Sequence, residues 1–151
     1  MNGRFELFTA LINKISRNIK KIKKQEMAEY GLKGPQISCL YYLYVLDGLT
    51  ATELCERCEE DKATISRSLC FLEKNGYVVC DSKSAKRYKC ALFLTERGRA
   101  AGKRIAEKVD NILEEISAQL TEKERTALYS SLTAISDGLD VIGKRLGTQN
   151  I

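Results

Sequence analysis

A chain of 151 residues, 44% hydrophobic and 30% charged, is long enough for one domain and apolar enough to bury a core. That balance excludes a disordered chain, and no apolar run approaches the ~18 residues of a membrane span. The net charge of +5 hides an uneven distribution: residues 61–104 hold 11 Lys/Arg against four acids, so the rest of the chain is net acidic. Such a local excess suits a polyanion-binding face, and equally a solvated surface. Met1-Asn2-Gly3-Arg4-Phe5-Glu6 lacks the uninterrupted apolar core of a signal peptide, so a cytoplasmic location with no membrane partner is expected.

In chain order, Phe5, Phe8, Ile12, Ile15, Ile19 and Ile22 alternate three- and four-residue steps, the stripe of a helix that seeks a partner helix. The basic run Lys20-Lys21-Ile22-Lys23-Lys24 continues that helix as a solvated face. Gly31 and Gly34 break the pattern. Pro35, the only proline, suits the first turn of a second helix carrying Ile37, Leu40, Tyr41 and Tyr44 and stopping at Asp47-Gly48. Thr50-Ala51-Thr52-Glu53 is a capping box, opening a short helix through Cys58. Glu59-Glu60 turns the chain, and Asp61 caps a longer helix with Ile65, Leu69 and Leu72 on its inner face, ending at Asn75-Gly76. A short helix, a tight turn and a longer helix make a helix-turn-helix.

The period then changes to two. Tyr77–Asp81 and Tyr88–Leu94 read as strands, separated by the basic tip Ser82-Lys83-Ser84-Ala85-Lys86-Arg87. A hairpin centred on Ala85 pairs Val78 with Leu92 and Cys80 with Cys90, and forms a wing. Thr95 opens a long helix with the seam Ile105, Val109, Ile112, Ile116 and Leu120. A second capping box, Thr121 to Glu124, starts a last helix carrying Leu128, Leu132, Ile135, Leu139, Ile142 and Leu146. The fold class expected is mainly α with a small β-hairpin wing, in a single domain spanning 1–151. A winged helix-turn-helix core over 34–98 is flanked by dimerisation helices over 4–28 and 99–147. A monomeric bundle wrapped round the centre is the alternative use of those long stripes.

The segment Asp61-Lys62-Ala63-Thr64-Ile65-Ser66-Arg67-Ser68-Leu69, followed by Leu72-Glu73-Lys74-Asn75-Gly76-Tyr77-Val78, resembles the bacterial MarR family of multiple antibiotic resistance regulators. Leu94-Thr95-Glu96-Arg97-Gly98-Arg99 is similar to that family's junction after the wing. The resemblance implies a homodimer, often a repressor, bound to a pseudo-palindromic operator in duplex DNA and released by a small ligand. It also implies that Lys62, Thr64, Ser66 and Arg67 face DNA from the recognition helix, while Arg87 enters the minor groove, with Lys83 and Lys86 beside it on the wing. Residue chemistry agrees: Arg67 has the fork that reads guanine or clamps a phosphate, and Thr64 and Ser66 are short donors near a helix N-terminus. Where the family commonly places an aspartate two residues before the wing arginine, this chain has Ala85. The resemblance further implies a small aromatic or anionic effector in a crevice between dimer helices and reading head, with Phe8, Leu11, Tyr41 and Tyr44 as candidate lining.

Six cysteines without a histidine are unusual. Cys55-Glu56-Arg57-Cys58 is a lone CxxC, whereas a structural zinc site needs four ligands, so no metal or cofactor is expected. Reduced thiols packed as small apolar residues are the default, with a thiol or metal sensor as the alternative. Cys80 and Cys90 are the pair the hairpin would bring within disulfide reach. With no histidine base, no Gly-rich loop after a strand and no paired carboxylates in a motif, enzyme chemistry is not expected. A winged-helix module for protein or RNA association is the remaining alternative.

Overall fold

The structure, a computed structural model, describes residues 3–81 and 89–148. The wing-tip residues Lys83, Ala85, Lys86 and Arg87 therefore lie outside the described residues. Helix α1 spans Gly3–Glu26, a 3-10 turn covers Ala28–Tyr30, and helices α2 (Gly34–Leu46), α3 (Ala51–Cys58) and α4 (Lys62–Lys74) follow. Strands β1 (Val78–Cys80) and β2 (Leu92–Leu94) pair antiparallel before the long helices α5 (Glu96–Ser117) and α6 (Glu122–Thr148). No helix among the described residues is long and apolar enough to cross a membrane.

The chain divides into two units, Met1–Val109 and Asp110–Ile151. In the first, α2 is the central post. It is apolar on nearly every side, burying Ile37, Cys39, Leu40 and Leu43, and packs against α1, α3, α4 and β2. Leu54 of α3, Ile65 and Leu72 of α4, Val78 of β1 and Ile105 of α5 complete the core, none more than 2% exposed. Met27, just past α1, is buried in the same cluster and anchors the end of that helix. The expected helix boundaries hold at the caps: Thr50 and Glu53 exchange backbone hydrogen bonds at 3.3 and 2.8 Å, and Pro35 lies in the first turn of α2.

Three sequence expectations change. The strands are shorter than read, and their register is shifted by two, pairing Val78 with Leu94 and Cys80 with Leu92. A two-residue slip keeps every side chain on its own face, so alternation cannot distinguish the two registers. Contacts away from the turn decide it: at the open end of the hairpin the Thr95 amide donates to the Tyr77 carbonyl at 3.1 Å, and the Leu92 amide donates to the Leu49 carbonyl at 2.9 Å. Second, Cys80 and Cys90 are joined as a disulfide, diagonal across the hairpin rather than directly opposed. Their Cα atoms are 6.1 Å apart, inside the range a disulfide spans, which overrides the packed-thiol default for this pair.

Third, the first half of α5 belongs to the reading head, burying Gly98, Ala101, Gly102, Ile105 and Ala106. A Cβ on Gly98 would sit 1.9 Å from the Tyr77 carbonyl oxygen, and one on Gly102 2.8 Å from Tyr44 Cβ. These small residues let α5 lie directly on the β1 entrance and on α2, a contact invisible to a search for large apolar residues. In the second unit the Thr121–Glu124 capping box forms as expected, and α6 has no buried residue among those described. Its whole seam, Leu128 to Leu146, is exposed, with Leu139 at 56%.

Candidate nucleic-acid interface

The Asp61 side chain starts the recognition helix by accepting from the Thr64 amide at 2.7 Å. That backbone hydrogen bond, followed by one from the Thr64 hydroxyl, holds the Asp61 carboxyl below the usual carboxylate range. Glu59, the residue ending α3, adopts the left-handed conformation at φ 54° and turns the chain between the two helices. Behind the helix, Asn75 and Gly76 close a Schellman motif: the Tyr77 amide donates to the Leu72 carbonyl at 2.8 Å and the Gly76 amide to the Glu73 carbonyl at 3.1 Å.

Between these ends α4 has two faces. Ile65, Ser68, Leu69 and Leu72 are buried, while Lys62, Ala63, Ser66, Arg67 and Cys70 are exposed. The structure thus brings Lys62, Ser66 and Arg67 together on one solvent face, as the residue spacing requires. Thr64 is half-buried, and its hydroxyl accepts from Arg67 Nη2 at 3.3 Å, so it braces the guanidinium from within the helix. Cys70 lies one turn further along the same exposed face, and sequence reasoning assigned it no role. A cavity of about 370 Å³ flanks this face between α3, α4 and β2, with Lys62 and Ser66 among its lining.

The basic excess of residues 61–104 proves to be two populations. Arg97 donates to the Asn75 carbonyl at 3.0 Å and to the Tyr77 hydroxyl at 3.1 Å, and stacks 4.4 Å from the Tyr77 ring centre. It fastens the end of α4 to α5. Arg99 pairs with Asp47, Lys103 with Glu107 and Arg104 with Glu29. These four basic residues have partners within the chain.

The four residues expected to line an effector crevice are placed differently. Tyr44 packs under Gly102, Tyr41 stands edge-on to Tyr42 with centroids 5.2 Å apart, and Leu11 is 50% exposed. Phe8 is half-buried on α1. A cavity of about 810 Å³ opens between α1 and α2, lined by Ile12, Ile15, Ile19 and Ile37 with Lys20, Lys23, Lys24 and Lys33, but by none of those four.

The chain matches the winged helix DNA-binding domain family over residues 36–113, from α2 into α5. It belongs to that family. An uncharacterized HTH-type transcriptional regulator of Bacillus subtilis (strain 168), YwoH, is 28% identical over 116 residues, covering 77% of this chain and 84% of the relative. The structure of NMB1585, a MarR family regulator from Neisseria meningitidis, superposes with a TM-score of 0.79 at 22% identity, over 91% of this chain and 94% of that one. MepR from S. aureus, in complex with DNA, gives 0.76 at 22% identity over 87% and 97%. The fold is that of the MarR regulators, and the chain carries the winged helix DNA-binding domain of its family.

Proposed function

We propose that this winged-helix regulator acts as a homodimer that places one copy of α4 in the major groove of each half of a pseudo-palindromic operator, as a repressor. The observation that carries this reading is the exposed trio Lys62, Ser66 and Arg67 on a helix whose other face is buried and whose start is capped by Asp61. Arg67 is the base-reading residue, with its fork aimed by Thr64, while Lys62 and Ser66 supply phosphate or base-edge contacts. Lys83, Lys86 and Arg87 of the wing add contacts to the backbone and minor groove. The dimer rests on the exposed stripes of α1 and α6, because a single chain leaves Ile15, Ile19, Leu139 and Ile142 in water.

The effector is a small anion with an apolar body, held in the α1–α2 cavity, where Ile37 and four lysines are among the lining. It releases DNA only to the extent that it binds the DNA-incompetent dimer more tightly, and DNA weakens the effector by the same factor. Selection of bound sequences from a random duplex library tests the core of the proposal. Two inverted half-sites about 10 bp apart, or a multiple of it, are expected. Recovery of a single unrepeated half-site would rule out the two-headed arrangement.

A further inference from the structure

The Cys80–Cys90 disulfide lies at the base of the wing, and the contacts proposed for DNA make no use of it. Cys80 ends β1 and is half-buried against the core cluster, whereas Cys90 is 1% exposed. The two are ten positions apart in sequence, so their bond closes a small covalent ring. Between them in the chain stand Lys83, Lys86, Arg87 and Lys89 against one acid, Asp81. The bridge therefore ties together the two ends of the wing's basic segment.

The wing base is held to the reading head by other bonds. The Asp81 amide donates to the Ala91 carbonyl at 2.9 Å, the Leu92 amide to Leu49 and the Thr95 amide to Tyr77. Val78, Leu92 and Leu94 are buried in the core. None of these contacts passes through the S–S bond. The reduced state is also provided for: Cys90 Sγ sits 2.7 Å from the Asp81 carbonyl oxygen, so a freed Cys90 thiol has an acceptor in place although it is buried. Joined and separate cysteines are thus both compatible with one hairpin base.

We propose that this bridge is a reversible switch, exchanged with small thiols and their disulfides, that sets how tightly the wing engages duplex DNA. The inference rests on the operator reading, in which Lys83, Lys86 and Arg87 contact the backbone and minor groove. Joining the ends of that segment removes conformations it would otherwise lose on binding, so the oxidised form binds more tightly. The contacts are the same in both forms, and only the cost of ordering differs. Reduction begins at Cys80, the more exposed of the two residues. A small thiolate attacks Cys80 Sγ, the Cys80–Cys90 bond breaks, and Cys90 leaves as a thiolate that takes a proton from solvent. A second small thiolate attacks the small-thiol sulfur of the mixed disulfide, and Cys80 leaves as a thiolate that is protonated in turn. Two small thiols thereby give two electrons to the bridge and depart as their own disulfide, which drives the reverse sequence when it is in excess.

The full-length protein is equilibrated in glutathione buffers running from reduced to oxidised, and the bridge is counted by alkylation and mass spectrometry. Affinity for a random-sequence duplex and for the selected operator is read in each buffer. The bridge should open and reform within this range, and affinity should follow it, about tenfold tighter when oxidised. The slope against log salt should stay the same, because no phosphate contact is gained or lost. Circular dichroism should match at both ends of the series. Cys80→Ser and Cys90→Ser should each keep the reduced affinity in every buffer. Cys70→Ser, which removes the exposed thiol of the recognition helix, should keep the full response. A bridge that does not titrate, or a response lost in Cys70→Ser, would overturn the switch and leave the operator reading standing. So would an affinity that ignores the bridge while Arg67→Ala still weakens binding. Failure to bind either duplex in any buffer would overturn both.

Discussion

At the scale of single residues, the recognition helix works because its polar side chains are divided between holding the helix and facing outward. Asp61 caps the Thr64 amide, the Thr64 hydroxyl braces Arg67, and Lys62, Ser66 and Arg67 are exposed. Replacing Arg67 with alanine should cost ~1–3 kcal/mol per half-site and relax base preference at one position in each, measured by operator titration and repeated sequence selection. Wild-type affinity with the same selected sequence would remove Arg67 from the interface. The capping carboxylates predict acid sensitivity. Asp61, Glu53 and Glu124 are each held below the usual carboxylate range, first by a backbone hydrogen bond at a helix start. A depressed native pKa contributes stability above the unfolded value that is lost as pH falls through the native one. Thermal unfolding should therefore show a melting temperature that is flat near neutrality and falls below the usual carboxylate range. Asp61→Asn, which keeps a capping oxygen, should reduce the steepness of that fall.

At the scale of elements, patterning predicted the α-helices of the described residues but not the 3-10 turn Ala28–Tyr30, and caps at Thr50, Asp61 and Thr121 marked three of the starts. The wing register was ambiguous because two-residue slips preserve alternation; only the pairing of Thr95 with Tyr77 and Leu92 with Leu49 chose one. The approach of α5 was equally hidden, since it depends on residues that are small rather than apolar. Gly98→Ala should destabilise the reading head by ~1–3 kcal/mol, because the new methyl meets the backbone carbonyl of Tyr77, which cannot swing aside. Denaturant unfolding at equilibrium measures it. An unchanged midpoint would mean that the junction between β1 and α5 is looser than the geometry indicates.

At the scale of the whole molecule, charge and apolar surface are sorted by different rules. Arg97, Arg99, Lys103 and Arg104 satisfy partners within the chain, so the local excess of positive charge overstates what is offered to a polyanion. Among the described residues, the apolar seam of α6 is exposed. Replacing Leu139 and Ile142 together with glutamate should shift sedimentation from dimer to monomer and abolish operator binding, while the far-ultraviolet dichroism keeps its helical form. A wild-type chain that sediments as monomer and still binds its operator tightly would refute the dimer.

The sequence by itself determined the order and type of the elements, the helix starts, and the outward face of the recognition helix. Those depend on local periodicity and on hydrogen bonds between residues three or four apart. Tertiary structure alone decided which basic residues pair within the chain, because Arg97 and Arg104 meet partners distant in sequence, Asn75 and Glu29. It also decided the strand register, through Leu49. Contacts between distant segments leave no period in the chain, so folding is the step that makes them.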